Sequence, residues 1–309
     1  MPHLGLTPKQ AVELDDPILK RPKGPGIPGR AFDGVLLAVF FGFTVIVVSG
    51  YASFGRHPEL VASVAGAARW YGVAMNLFPV LHVWLAFAVL VAYVTRKAAM
   101  AWVPSFVALY VLSLSSELLG TGYGIPFGPY SYTPLLGAEW LGRVPVVIPL
   151  SWFTMAVAAY AVARRSITGV MTASRISVIA VASMLLLCWD LSLDPAMSHS
   201  TIYWIWGAHG PYYGMPWSNL AGWYVTGLVL ASLLMLLGGD RWITRLHPKW
   251  VGAFFAINLL LPVGMNVASG LWLSVGVTAI ALVAVAAFLK ASTRVPSAAV
   301  SDRLLARAE

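Results

Sequence analysis

Long apolar runs separated by short polar interruptions fill most of the chain, and the runs lack the every-second-residue alternation of strands. A bilayer hydrocarbon core about 30 Å thick is crossed by about 20 apolar residues in a helix. Runs of that length fall at 34–54, 72–95, 101–119, 144–163, 176–193, 217–238, 250–268 and 271–289. The pattern predicts an all-α polytopic transmembrane bundle of about eight spans, because backbone polar groups in lipid have to be satisfied within each segment. Little more than Ser269-Gly270 separates the last two runs, which predicts a tight antiparallel hairpin.

The expected organisation is a flexible tail over 1–33, a transmembrane domain over 34–290 and a second flexible tail over 291–309. The first 33 residues show no early apolar core or small-residue cleavage site, so the first span is expected to act as an uncleaved anchor.

Composition agrees with lipid as the solvent. Of 309 residues, 59% are hydrophobic and 10% charged, against about 25% charged in a soluble domain. The net charge of +8 would suggest a nucleic-acid partner in a soluble protein. Seventeen of the twenty Lys and Arg, however, lie in the tails and in alternate loops, whereas Arg56, Arg69 and Arg143 fall on the other side. By the positive-inside rule this places both termini in the cytoplasm of a multi-pass inner (cytoplasmic) membrane protein, and nucleic acid is not needed to explain the charge. The lone Cys188 excludes an internal disulfide and any zinc site built from several cysteines.

Two loops on the basic-poor side, 120–143 and 195–216, are dense in Gly, Pro, Tyr and Trp, and so many aromatics argue for order. The loops read as halves of an internal repeat. Each follows a helix ending in acids, contains Gly-Pro-Tyr, and enters a helix with Pro and Trp seven apart: Pro145 with Trp152, Pro216 with Trp223.

Three of the twelve acids, Glu117, Asp190 and Asp194, lie within apolar spans, where an ionisable group is a functional candidate by default. Asp190 and Asp194 are four apart and share a helix face, and Pro195 is expected to end that helix just after them. Desolvation, like-charge repulsion and a helix C-terminus together favour a carboxyl that keeps its proton, hence a proton donor. The competing reading is that these acids reach the interface and stay solvated, or that Asp-x-x-x-Asp holds Mg²⁺ for a prenyl diphosphate. The second acidic motif and the nearby cations that such chemistry wants are missing, so no metal ligand is assigned. His82, His199 and His209 fit no zinc spacing and are read as structural or accessory.

Aromatics crowd around these acids: Tyr123, Phe127, Tyr130, Tyr132, Trp189, Trp204, Trp206, Tyr212, Tyr213, Trp217 and Trp223. An interfacial belt is one explanation; a slot for a long apolar chain, able to stabilise a carbocation, is the other. Asn76, Asn219, Asn258 and Asn266 are candidates for joining helices or orienting water, and Cys188 for packing.

The segment from Glu117 through Gly-Pro-Tyr-Ser-Tyr132, continued by Val144 to Trp152, resembles the membrane carotenoid 1,2-hydratases of the CruF type. So does Trp189-Asp-Leu-Ser-Leu-Asp-Pro195, with Trp204, Trp206 and Tyr213-Gly-Met-Pro-Trp-Ser-Asn-Leu-Ala-Gly-Trp223. The resemblance covers roughly 70–290 and implies a cofactor-free addition of water across the terminal C1,C2 double bond of an acyclic carotenoid end. Lycopene, γ-carotene and bisanhydrobacterioruberin ends are substrates of such enzymes. It implies Glu117, Asp190 and Asp194 as catalytic residues, with Tyr130, Tyr132, Trp189, Trp204, Trp206, Tyr213, Asn219 and Trp223 against the substrate. The expected partners are a carotenoid and membrane lipid. The rival functions are a Mg²⁺-dependent intramembrane prenyltransferase and a carotenoid transporter or binding scaffold, the latter expected to hold its ionisable groups near the bilayer midplane.

Overall fold

The structure, a computed structural model, describes residues 29–167 and 172–292. Within them eight helices are long and apolar enough to cross a membrane. They are α1 (Gly29–Gly50), α2 (Ala67–Ala98), α3 (Val103–Tyr123), α4 (Val147–Ser166), α5 (Thr172–Pro195), α6 (Trp217–Leu236), α7 (Pro248–Ala268) and α8 (Trp272–Ser292). Each expected span is met by one helix. Most of both expected tails lies outside the described residues.

At the extremes, apolarity and burial run in opposite senses. The most apolar segments, those of α1 and α8, are only 17% buried, while the least apolar, in α4, is 78% buried. In lipid an apolar side chain gains nothing by turning inward, so the inside is selected for close packing. Ala156, Ala158, Ala159, Ala161 and Ala163 accordingly let α2, α3, α5, α6 and α7 close around α4.

The chain is already helical at Gly29, ahead of the apolar run, and polar partners support this part of α1. Asp33 is held by Lys97 Nζ at 2.6 Å and Arg96 Nε at 3.3 Å, and its carbonyl accepts Trp250 Nε1 at 2.9 Å. On the same basic-rich face Asp240 accepts Tyr160 at 2.6 Å and pairs with Arg164. The α7–α8 hairpin turns as expected, with Gly270 at φ +71° and Leu271 N bonded to Asn266 O at 2.8 Å.

The α-helical part of α5 ends at Pro195 as expected, and the chain then runs on as a π-helical turn, Ala196–Ser200. Proline lacks the N–H that would bond the carbonyl four residues back. That carbonyl, of Leu191, is satisfied from elsewhere, by Tyr212 Oη at 2.6 Å and Ser274 Oγ at 3.0 Å. Asn266 Nδ2 serves the next carbonyl, of Ser192, at 2.8 Å and also donates to Ser274 Oγ. Each of Tyr212→Phe and Ser274→Ala is expected to lower stability by about 1 kcal/mol. Thermal unfolding in detergent checks this, and two unchanged midpoints would remove the explanation.

The two long loops meet over one end of the bundle. Strand β1 (Tyr130–Tyr132) pairs antiparallel with β4 (Trp204–Trp206), Tyr130 opposite Trp206 and Tyr132 opposite Trp204. A second small ladder joins β2 (Glu139–Trp140) to β3 (Val144–Pro145). Phe127 seats the first loop between two helical glycines. A Cβ on Gly120 would come within 2.9 Å of its ring, and one on Gly222 within 2.8 Å.

Candidate active site

Under the paired loops lies a cavity of about 100 Å³. Glu117 and Asp194 line it from α3 and α5, and Trp189, Asn219, Trp223, Tyr130, Tyr132, Trp204 and Trp206 complete much of its wall. All but two of the residues expected at the site therefore surround a single space. One exception is Asp190, and the other is Tyr213, which stands outside the lining, at φ +52°, against Tyr212 and His199. The turn closed by Gly210 N to Gly214 O aims Tyr212 inward and leaves Tyr213 beyond.

The three acids occupy two different environments. Glu117 is 4% exposed and accepts three donors: Tyr130 Oη and Tyr132 Oη on Oε2, the latter at 2.8 Å, and Trp152 Nε1 on Oε1 at 2.7 Å. Three converging donors suit an acceptor-only, charge-bearing carboxylate. Burial, then the charge of Glu117, hold the phenols of Tyr130 and Tyr132 well above the ordinary tyrosine range, so both remain O–H donors.

The aspartates instead face each other. Asp190 and Asp194, 0% and 2% exposed, are buried together and share one amide donor. Asn219 Nδ2 donates to Asp194 Oδ2 and reaches Asp190 Oδ2 at 3.3 Å. Only Asp194 lines the cavity; Asp190 sits behind it with Oδ1 lacking any hydrogen-bond partner. Helical spacing brought these two to one face, but tertiary packing decides which one reaches the cavity.

The aromatics divide between the two readings open to them. Tyr123 and Trp217 are 78% and 65% exposed, as belt residues are. Tyr212 and Tyr213 pair with each other, and the rest form a continuous set of rings through Phe127 and Trp152. Trp152 stacks on Trp223 with centroids 4.0 Å apart, Trp189 stands edge-on to Trp223, Tyr130 meets Trp206 and Tyr132 meets Trp204. The stacked pair Trp152 and Trp223 are the residues that the internal repeat sets in correspondence.

Trp152 is the main residue missing from the expected site, and its repeat position was the available signal. His82 and Asn258 also line the cavity, at the end away from the acids' loops. The Thr44 hydroxyl donates to Phe40 O at 2.9 Å, so His82 Nε2 is the donor in its 3.0 Å bond to Thr44 Oγ1. Asn258 Nδ2 bonds Phe254 O at 2.9 Å. Among the described residues no group of three or more His, Cys, Asp or Glu is disposed to hold a metal ion.

Eight apolar helices enclosing a carboxyl cluster, roofed by aromatic rings, define a polytopic membrane protein whose buried polar site is walled for an apolar ligand. Comparison with known proteins makes the class particular. Residues 77–285 match the family described as "Carotenoid biosynthesis protein", and the chain belongs to that family. It is also 33% identical over 148 residues to the bisanhydrobacterioruberin hydratase of Haloarcula japonica. That alignment covers 48% of this chain and 48% of the relative, so it spans about half the length of each. No solved structure matches the chain.

Proposed function

We propose that this protein hydrates the terminal C1,C2 double bond of an acyclic carotenoid end of the lycopene, γ-carotene or bisanhydrobacterioruberin type. The observation that carries the reading is the pair of unlike carboxyl environments on one aromatic cavity: two buried aspartates that share one amide donor on one side, a triply donated glutamate on the other. Two carboxyls held in different states are what acid and base steps in one site require. The hydratase name of the Haloarcula japonica relative supports the same chemistry.

In the proposed reaction Asp194 gives its proton to C2, the π electrons form the new C–H bond, and C1 becomes a tertiary cation. The faces of Trp204, Trp206 and Trp223 stabilise that cation. Water attacks C1 and forms the C–O bond. Glu117 orients that water and draws off its extra proton, and a proton returned to the aspartate pair closes the cycle. One water is consumed, nothing is oxidised or reduced, and no cofactor takes part. Asp190 and Asn219 hold the Asp194 carboxyl in place. The enzyme so proposed is a hydro-lyase of the cytoplasmic membrane, with its basic-rich face and both termini toward the cytoplasm and the site near the opposite face.

Expression in a host that makes an acyclic carotenoid, grown with ¹⁸O-labelled water, tests the reading. The expected pigment is heavier by one water and carries the label in a tertiary alcohol. A cyclised product of unchanged mass, or a prenylated one whose formation stops with a chelator, would overturn it.

A further inference from the structure

The site cavity is small for a long polyene, and a second, larger cavity adjoins it. This one, about 360 Å³, lies between α1, α2 and α7. Pro79, Met197 and Leu261 belong to the walls of both, so the two spaces are separated by little more than these three side chains. The lining of the second is almost wholly aliphatic and aromatic, and two of its three tyrosine hydroxyls are tied off. Tyr203 Oη donates to Met75 O at 3.2 Å, and Tyr51 Oη is bonded to Ser269 Oγ at 3.0 Å. Apart from the Tyr71 hydroxyl, the wall is ring face and alkyl group.

The cavity also has a mouth. Ile46, Phe54 and Trp70 line it while being 60%, 43% and 70% exposed on the outer surface of the bundle. That surface is the side of two helices apolar enough to face acyl chains, so the opening leads sideways into the bilayer. Dry, apolar and open to lipid at one end, the space joins the carboxyl site at the other.

We propose that this cavity is a gallery for the unreacting polyene of the substrate, which slides in from the membrane between α1 and α2 and presents its end group past Pro79, Met197 and Leu261. The inference rests on the hydratase reading for the identity of the end group, while the gallery itself is argued from the cavities alone. It carries a consequence for selectivity. Most of the lining, from Ile46 to Met75, precedes the family-matched residues 77–285. The acid site belongs to the matched region, whereas the gallery wall outside it is where this chain distinguishes one long carotenoid from another.

Two obstructions test this. Gly50 lines the gallery, and a Cβ there would meet no atom within 4 Å, so Gly50→Phe can fill the space without displacing protein. Ala74→Trp obstructs from the facing helix, and Val73→Trp, its lipid-facing neighbour outside the lining and 48% exposed, is the control. Each is made in the full chain and purified in detergent from a lycopene-accumulating host; pigment bound per protein and pigment converted in the cells are measured. The expected result is at least about a tenfold fall in both for Gly50→Phe and Ala74→Trp, with Val73→Trp near the parent. Binding and conversion equal to the control in both obstructed variants overturn the gallery. Loss of bound pigment in the obstructed variants alone, with no hydration by any protein including the parent, upholds the gallery and overturns the hydratase reading.

Discussion

Replacing Asp194 by Asn is expected to lower the rate of water addition by about 10³-fold, roughly 4 kcal/mol of transition-state stabilisation, with the folded protein retained. Asparagine has the same shape and keeps the Asn219 side of the contact, but it has no acidic proton to place on C2. Asp190→Asn is expected to cost less, about 10- to 10²-fold, because Asp190 stands behind Asp194 and outside the cavity lining. Its effect passes through the orientation and proton affinity of its neighbour, so the rate profile against pH is expected to move, which a merely packing role would leave in place. Pigment conversion at matched expression, with thermal unfolding as the check on folding, decides the matter. An Asp194→Asn variant within tenfold of the parent would falsify the assignment of the proton donor.

Glu117→Gln is the second large effect, about 10²-fold on turnover. Three donors converge on this carboxylate from Tyr130, Tyr132 and Trp152. A glutamine offers one acceptor oxygen and turns an NH₂ toward a group that is itself a donor, so the cluster loses both its charge and its geometry. Tyr132→Phe alone removes one donor from a carboxylate that keeps two, with an expected loss of about tenfold. Because the tyrosine acts through the glutamate, the double variant Glu117→Gln/Tyr132→Phe is expected to be no slower than Glu117→Gln. Additive losses in that cycle would show that Tyr132 works independently, against the substrate itself.

These predictions draw on features of differing legibility. The pairing of Asp190 with Asp194 follows from a spacing of four on one helix, and the crowding of aromatics beside Glu117 is visible in the composition of two loops. That Trp152 donates to Glu117, thirty-five residues away, follows from no local rule. It depends on α3 and α4 lying side by side at one depth. The same holds for Tyr213, whose place outside the cavity is set by a turn that reverses its direction, and for His82, whose cavity position requires α2 to pack against α4. At Pro195 the local rule was sound in chemistry but incomplete. The unpaired Leu191 carbonyl exists, and residues from the loop and α8 satisfy it, so the chain runs on as a π-helical turn.

The number of crossings, the α7–α8 hairpin and the three acids gathered under the loops were legible in the sequence, because lipid acts on each segment separately and reads only its length, apolarity and charge; the buried Asp33 was not. Tertiary structure alone decided the remainder: that α4 is the centre, that Asp194 and not Asp190 meets the cavity, that Trp152 closes on Trp223, and that a second cavity opens between α1 and α2. Those outcomes depend on which helix faces come together. In a bilayer, hydrophobicity does not distinguish one apolar face from another, so small-residue packing and buried polar contacts between distant segments choose among them.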